Sequence, residues 1–433
     1  AVVENQRLPG LSIAVARHGA ILYARGFGYS DLARKTPADA HTIYNIASCS
    51  KQFTAAAIML LVQDGAVRLD DRLSRYFPWY RHARSITVRE LLNHTSGIPD
   101  YTELDDVPHH ASARAFFDLV AAAPLEFTPG TRFRYSNTNY VALGMIVESA
   151  SGESYSTFLR RRIFVPLDMT ESATRVIPQS LPDGAVGYTL DGTKVVPMPQ
   201  TPDDLGYGDG TVNASVIDLV KWDAALDDGR VVNPASWRAM TSAALPEWPG
   251  SDVGYGFGLD IGELYGVRQV SHYGLNPGYA TYNATYPGEG LEIVAISNGD
   301  QFSQTWLEQR IFALLHGDTP AMRAEALQPA AGENPAMTAR ASEWLSRMQA
   351  GRIDASQLAA PLATDLTSAR AQELLVEAGA SGPLRRLQFI WEAYRASQTD
   401  YEYFAYYDHA IVDFTMTVDA HGKISALSPA RGD

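Results

Sequence analysis

The longer strand-forming segments stand near the start of the chain and return after residue 250, with mainly helix-forming segments in the interval. Leu11–Arg17 and Ala20–Tyr29 are short β-type runs separated by His18-Gly19, a hairpin signal. Comparable runs recur at Tyr255–Ile261, Val267–His272, Tyr279–Tyr286 and Glu292–Ser297, each bounded by glycine or proline. Between them, Ser48–Gln63 reads as a helix closed by Asp64-Gly65. Further helical patterns fall at Val88–Asn93, Tyr101–Pro124, Tyr140–Ser149 and Val216–Leu226, and residues 180–213 read as loops with short strands. Trp306–Leu315 resembles a closing helix. Strands at both ends with helices between predict one sheet built from distant segments, flanked by helices and carrying a helical insertion, an α/β (α+β) fold.

A second body follows. Thr319–Pro335 is rich in Ala, Pro, Gly and Glu and reads as a linker, dividing residues 1–318 from residues 336–433. The last stretch predicts helices at about 337–350 and 368–378, then strands at Leu384–Tyr394, Tyr401–Tyr407, Ile411–Val418 and Ile424–Leu427. That is a small α+β domain with no evident chemistry. Its aromatic cluster (Tyr401, Tyr403, Phe404, Tyr406, Tyr407) reads as a sheet face rather than a ligand platform.

Composition narrows the partners. A net charge of −14 argues against nucleic acid or an anionic membrane surface. No apolar stretch approaches the ~20 residues of a membrane span. Cys49 is the only cysteine, which excludes an intrachain disulfide and a cysteine-based zinc site. His109-His110 beside Asp105-Asp106 matches no common metal spacing, so neither metal nor cofactor is expected. The chain opens at Ala1 without a methionine or a signal peptide, which fits a processed secretory protein and a trimmed sequence equally. A periplasmic or secreted location is the expectation, with the cytoplasm compatible. The oligomeric state is not legible.

The chemistry begins at Ser48-Cys49-Ser50-Lys51. A hydroxyl and an amine three residues apart lie on one helical face. A serine is a poor nucleophile until a neighbouring base removes its proton, and a lysine can do so if its pKa is lowered. The bland alternative is a helix N-cap serine followed by a solvated lysine. Two further short motifs follow in order. Tyr135-Ser136-Asn137 stands in a loop before the Tyr140 helix, and His272-Tyr273-Gly274 stands at the end of a strand run.

With these three motifs the chain resembles the serine β-lactamase and penicillin-binding-protein superfamily. It is most similar to the branch containing class C β-lactamases, D-aminopeptidases and family VIII carboxylesterases. The resemblance covers residues ~8 to ~315 and extends to Glu90-Leu91-Leu92-Asn93-His94-Thr95-Ser96-Gly97-Ile98-Pro99, Pro166-Leu167-Asp168-Met169 and Tyr255-Gly256-Phe257-Gly258. It implies a β-lactamase/transpeptidase-like antiparallel sheet, and it implies roles. Ser48 attacks a carbonyl and forms an acyl-enzyme. Lys51, near the positive end of the helix dipole, is the base. Tyr135 shuttles the proton to the leaving group as a partial phenolate. Asn137 hydrogen-bonds Lys51 or the substrate amide. The backbone N–H groups of Ser48 and of Leu275, the residue after Gly274, form the oxyanion hole.

His272 departs from the pattern. A lysine opens this motif in β-lactamases and helps to bind the substrate carboxylate, whereas histidine is mostly neutral at pH 7. Histidine occurs here in D-aminopeptidase-like members. The resemblance therefore favours a hydrolase of small-molecule esters, amides or peptides, D-amino acid derivatives among them. The alternatives are a β-lactamase or D,D-carboxypeptidase, and a non-catalytic ligand-binding relative. Gly206-x-Gly208-x-Gly210 reads as a pocket rim rather than a phosphate loop, with Asp209 a candidate contact for a substrate amine. Trp79, Tyr101 and Tyr207 are candidate pocket-lining residues.

Overall fold

The computed structural model describes residues 8–103, 113–191, 194–200, 207–247, 253–300, 304–316, 333–366, 383–395, 398–407 and 411–429. The chain divides into two compact units. The first comprises Ala1–Glu247 and Asp252–Gly317, and the second comprises Asp318–Asp433 with Trp248–Ser251.

The first unit is built on an eight-stranded sheet. Its order is Thr36–Pro37, Ala20–Asp31, Gly10–Arg17, Leu291–Ser297, Tyr279–Tyr286, Val267–Asn276, Asp260–Leu264 and Gly254–Tyr255. Every neighbouring pair is antiparallel. The two ends of the unit meet where Gly10–Arg17 pairs with Leu291–Ser297, with Ile13 opposite Ala295. All residues of Tyr279–Tyr286 and Leu291–Ser297 are buried, so the polar Thr281, Asn283, Thr285 and Glu292 lie inside the unit with the apolar residues of these central strands. Helices Val216–Asp227 and Gln304–His316 pack against them.

Helix Ser50–Gln63 is buried from Ser50 to Leu61, and helix Asn137–Ser151 packs along it. A helix covered all round must be apolar all round, which explains the run Phe53–Leu61. The short helix Val88–Leu92 starts with a capping box in which Thr87 and Glu90 satisfy each other's backbone N–H groups.

Two predicted elements differ. Tyr255–Ile261 is not one strand: Gly254–Tyr255 and Asp260–Leu264 pair antiparallel across a turn. Gly258 turns there at φ +72°, and a Cβ on it would stand 2.6 Å from the Lys51 carbonyl oxygen, so glycine lets the turn seat on helix Ser50–Gln63. Over Tyr101–Pro124 the structure has a short 3₁₀ turn, Tyr101–Glu103, and a helix at Ala113–Ala121; residues 104–112, with the His109-His110 pair, lie outside the described residues. So do the expected helix at 368–378 and most of the expected linker.

In the second unit, Leu384–Arg395, Gln398–Tyr407, Ile411–Asp419 and Ile424–Pro429 form a four-stranded antiparallel sheet. Helix Pro335–Gln349 packs on it, burying Trp344 against a core that includes Phe389, Tyr403, Phe414 and Met416. Tyr401 and Tyr403 are buried in this core, as a sheet face requires. Among the described residues no helix is long and apolar enough to cross a membrane.

Candidate active site

The site grows from a strained corner. Ala47 has a left-handed backbone, φ +48°, which costs an L-residue about 1–2 kcal/mol. A buried carboxamide holds it there. Asn45 Oδ1 accepts from the Ala47 N–H (3.0 Å) and from Asn276 Nδ2 (2.7 Å), while Asn45 Nδ2 donates to the Gly210 (3.0 Å) and Val212 (3.1 Å) carbonyls and to Asn213 Oδ1 (3.1 Å). Ser48 follows in a 3₁₀ turn, Ala47–Cys49, and the α-helix begins at Ser50. From Thr42 to Leu61, Ser48 is the one residue that is not buried. No side-chain cap bond forms at this end, which removes the N-cap reading of the serine.

Lys51 is completely buried. Its Nζ donates to Ser48 Oγ at 3.0 Å, to Asn137 Oδ1 at 2.8 Å and to the Asp209 carbonyl at 2.9 Å. Burial lowers its pKa to about 8, with Asp209, Asp100, Cys49 and Asp260 opposing the shift. Desolvation, rather than the helix dipole, is the principal cause. Nζ also stands 4.8 Å from the centre of the Tyr135 ring.

Tyr135 precedes helix Asn137–Ser151 and is half-buried. Burial and the neighbouring Tyr273 hold its hydroxyl well above the ordinary phenol range, and a hydrogen bond with Ser48 opposes them. The resting tyrosine is therefore neutral, not the partial phenolate expected. Its ring packs on the buried His94 ring, centroids 4.3 Å apart. Asn137 is the first residue of its helix. Its Nδ2 donates to Asp100 Oδ2 at 2.9 Å, so its Oδ1 is the atom that faces Lys51.

His272 lies beneath Tyr135, with ring centroids 6.2 Å apart, and is completely buried. Nε2 pairs with the Tyr255 hydroxyl at 2.8 Å and Nδ1 with the Tyr273 carbonyl. A carbonyl only accepts, so Nδ1 carries the proton and Nε2 accepts from Tyr255. Burial, reinforced by Lys51, pushes its pKa down to about 3. The ring is neutral and both nitrogens are used within the protein. Gly274 explains how this strand comes so close: a Cβ there would meet the Ile46 carbonyl at 2.5 Å and the Ser48 nitrogen at 2.9 Å. Leu275 follows it, half-buried, on the same strand. Cys49 Sγ is turned away, 3.1 Å from the His272 carbonyl, and burial raises its pKa well above the usual thiol range, so it is an inert packing group.

Ser48, Lys51, Tyr135, Asn137, His272, Gly274 and Leu275 thus converge on one place. The remaining candidates do not join them as substrate contacts. Asp209 is buried, with one carboxylate oxygen on the Tyr101 hydroxyl (2.7 Å) and the other on the Tyr207 N–H (2.7 Å). It braces the loop that offers its carbonyl to Lys51. Tyr101 and Tyr207 are themselves buried, and Trp79 packs against Phe77, Phe117 and Arg114. Gly206 lies outside the described residues. His94 and Tyr255 stand in the Glu90–Pro99 and Tyr255–Gly258 stretches without a role expected of them, and Asn45 and Asp100 are not expected from the sequence. Asp100 directly follows the Glu90–Pro99 stretch, and that adjacency was the available signal. Among the described residues no group of acidic, histidine or cysteine side chains could hold a metal ion.

The Beta-lactamase family model matches residues 1–318. The chain belongs to the Beta-lactamase family. Penicillin-binding protein 4* of Bacillus subtilis (strain 168) is 33% identical over 327 residues, 71% of each chain. The D-amino acid amidase from Ochrobactrum anthropi SV3, complexed with L-phenylalanine amide, superposes with a TM-score of 0.64 at 27% identity, covering 73% of this chain and 96% of that one. The octameric penicillin-binding protein homologue from Pyrococcus abyssi has a TM-score of 0.67 at 23% identity over 96% of this chain and 94% of its own, a likeness of fold. Family members of this kind are serine hydrolases working through an acyl-enzyme, and this chain is a serine hydrolase of that superfamily.

Proposed function

We propose that Ser48 is the nucleophile, Lys51 its general base and Tyr135 the proton relay of a hydrolase for amides and esters without a carboxylate anchor. The observation carrying this reading is Lys51: an amine with no solvent contact, 3.0 Å from the one unburied hydroxyl beside it and with a pKa near neutrality. Neutral Lys51 takes the Ser48 proton as Oγ attacks the carbonyl carbon. The oxyanion that forms accepts hydrogen bonds from the Ser48 and Leu275 N–H groups, worth roughly 3–4 kcal/mol for a single donor. Tyr135, neutral and hydrogen-bonded to Ser48, gives its proton to the leaving nitrogen or oxygen and regains one from Lys51. Water then enters, and the same groups act in reverse to release the acid.

Substrate class follows from His272. A carboxylate-bearing ligand would meet a neutral, enclosed imidazole where a β-lactamase offers an ammonium. Beside it, the Tyr273 side chain is 45% exposed and supplies an aromatic surface at the same strand end. These features favour amides and esters bearing an apolar side chain, and the similarity to the Ochrobactrum enzyme, named a D-amino acid amidase, adds D-amino acid amides to that class. The test is a panel of short-chain p-nitrophenyl esters, D- and L-amino acid amides and a chromogenic cephalosporin. Turnover of esters and D-amino acid amides is expected. Rapid cephalosporin turnover with no esterase or amidase activity would reverse the assignment.

A further inference from the structure

Lys51 has three hydrogen-bond partners, and only one of them can ever donate. The Asp209 carbonyl and Asn137 Oδ1 are acceptors, whereas Ser48 Oγ is both donor and acceptor. An ammonium satisfies all three with its three N–H bonds. A neutral amine keeps two N–H bonds and one lone pair. Two N–H bonds directed at the two pure acceptors leave the lone pair facing the Ser48 proton. The base is aimed at the nucleophile by elimination.

That aim depends on which end of the Asn137 amide faces Lys51. A flip would present Nδ2, a donor, which repels the ammonium and competes for the lone pair. The opposite end of the same amide settles the matter: Asn137 Nδ2 donates to Asp100 Oδ2 at 2.9 Å and lies 3.5 Å from Thr102 Oγ1. Asp100 is itself buried, its other oxygen taken by the Thr102 N–H at 3.1 Å. Both Asp100 oxygens accept from N–H groups, so the carboxylate fits only the Nδ2 end of Asn137. The next residue completes the clamp. Tyr101 anchors Asp209 through its hydroxyl at 2.7 Å, and its own N–H is held by Thr138 Oγ1 at 3.0 Å. Consecutive residues of one turn therefore control both of the acceptors that direct Lys51.

We propose that Asp100 is a positioning residue of the reaction: by locking the Asn137 carboxamide it aims the Lys51 lone pair at Ser48. This rests on Ser48 and Lys51 acting as nucleophile and base. A corollary is that Asn137 serves the lysine and not the substrate, because both of its polar ends are already engaged.

The test is a reciprocal exchange, read by kcat, KM and the pH profile on p-nitrophenyl acetate. In Asp100→Asn the lock is lost and kcat falls by roughly 10–100-fold, a fraction of the full effect of a general base, while KM changes by less than about threefold. The double variant Asp100→Asn/Asn137→Asp restores the pattern with its atoms swapped, since a carboxylate at 137 again offers Lys51 only acceptors. Its kcat recovers at least about tenfold over Asp100→Asn, and its ionisation moves to higher pH because the negative charge now stands against the ammonium. A variant that merely loosened the fold would not be rescued by a second substitution. Wild-type kcat and pH profile in Asp100→Asn, or a double variant no better than the single one, overturns the proposal. Fluorophosphonate labelling of Ser48 in the parent protein tests the underlying assignment separately.

Discussion

If Lys51 is the base, its ionisation must govern the rate, and the structure fixes where. Burial lowers its pKa from 10.5 to about 8. At pH 7 about one molecule in ten then carries a neutral lysine, against roughly one in 3,000 at the unshifted value, a gain of ~300-fold in active base. In free energy this is about 3 kcal/mol, the order expected for desolvating one ammonium that keeps its hydrogen bonds. The assay is kcat/KM on p-nitrophenyl acetate from about pH 5.5 to about pH 10.5, limits that bracket both the shifted and the reference pKa. The rate should climb tenfold per pH unit and level off near pH 8. Lys51→Arg, which cannot lose its proton, should abolish the limb and lower the rate by about 10²–10⁴. Stability carries the same signature. The folded-state pKa lies below the unfolded one, so the folded chain binds fewer protons between about pH 8 and the 10.5 reference, and this group's contribution to stability rises across that window. Below it both states are protonated and the desolvation cost is present in full. A limb centred above about pH 10, or no limb at all, would refute the argument that burial activates this lysine.

Two substitutions probe the geometry. Gly274→Ala places a methyl 2.5 Å from the Ile46 carbonyl and 2.9 Å from the Ser48 nitrogen, both backbone atoms, so this strand and the Ser48 corner, proposed to carry the oxyanion donors, must part. Its kcat should fall by about 10²–10³ with the fold retained by circular dichroism. Tyr135→Phe removes the relay but keeps the ring against His94, so amide hydrolysis should fall by about 10²–10⁴, and p-nitrophenyl ester hydrolysis, whose leaving group needs no proton, by distinctly less. Equal losses on both substrates would count against a relay role.

The parts of the site legible in the sequence are those set by short-range spacing. Ser48 and Lys51 face each other because they are one turn apart, and Tyr135 and Asn137 are placed by the start of a single helix. The sheet was legible in part for a similar reason: several of its strands, Leu291–Ser297 among them, are short β-type runs next to glycine or proline. What was not legible depends on contacts between distant segments. Asp100 reaches Asn137, Tyr101 reaches Asp209 and Asn45 reaches Asn276, yet in one sequence each is only a polar residue in a loop or strand end. Tyr135 is neutral rather than a partial phenolate because spacing shows the nearby lysine but not the burial of its ring and the neighbouring Tyr273. The Gly258 turn breaks the expected strand because its backbone must clear the Lys51 carbonyl, which nothing local in the sequence shows.

The account stands or falls on one hydroxyl. Reaction of the full chain with a fluorophosphonate, followed by mass spectrometry of the digest, should give a single adduct on Ser48 that is absent from Ser48→Ala. No adduct, or an adduct elsewhere with hydrolysis undiminished in Ser48→Ala, would contradict it.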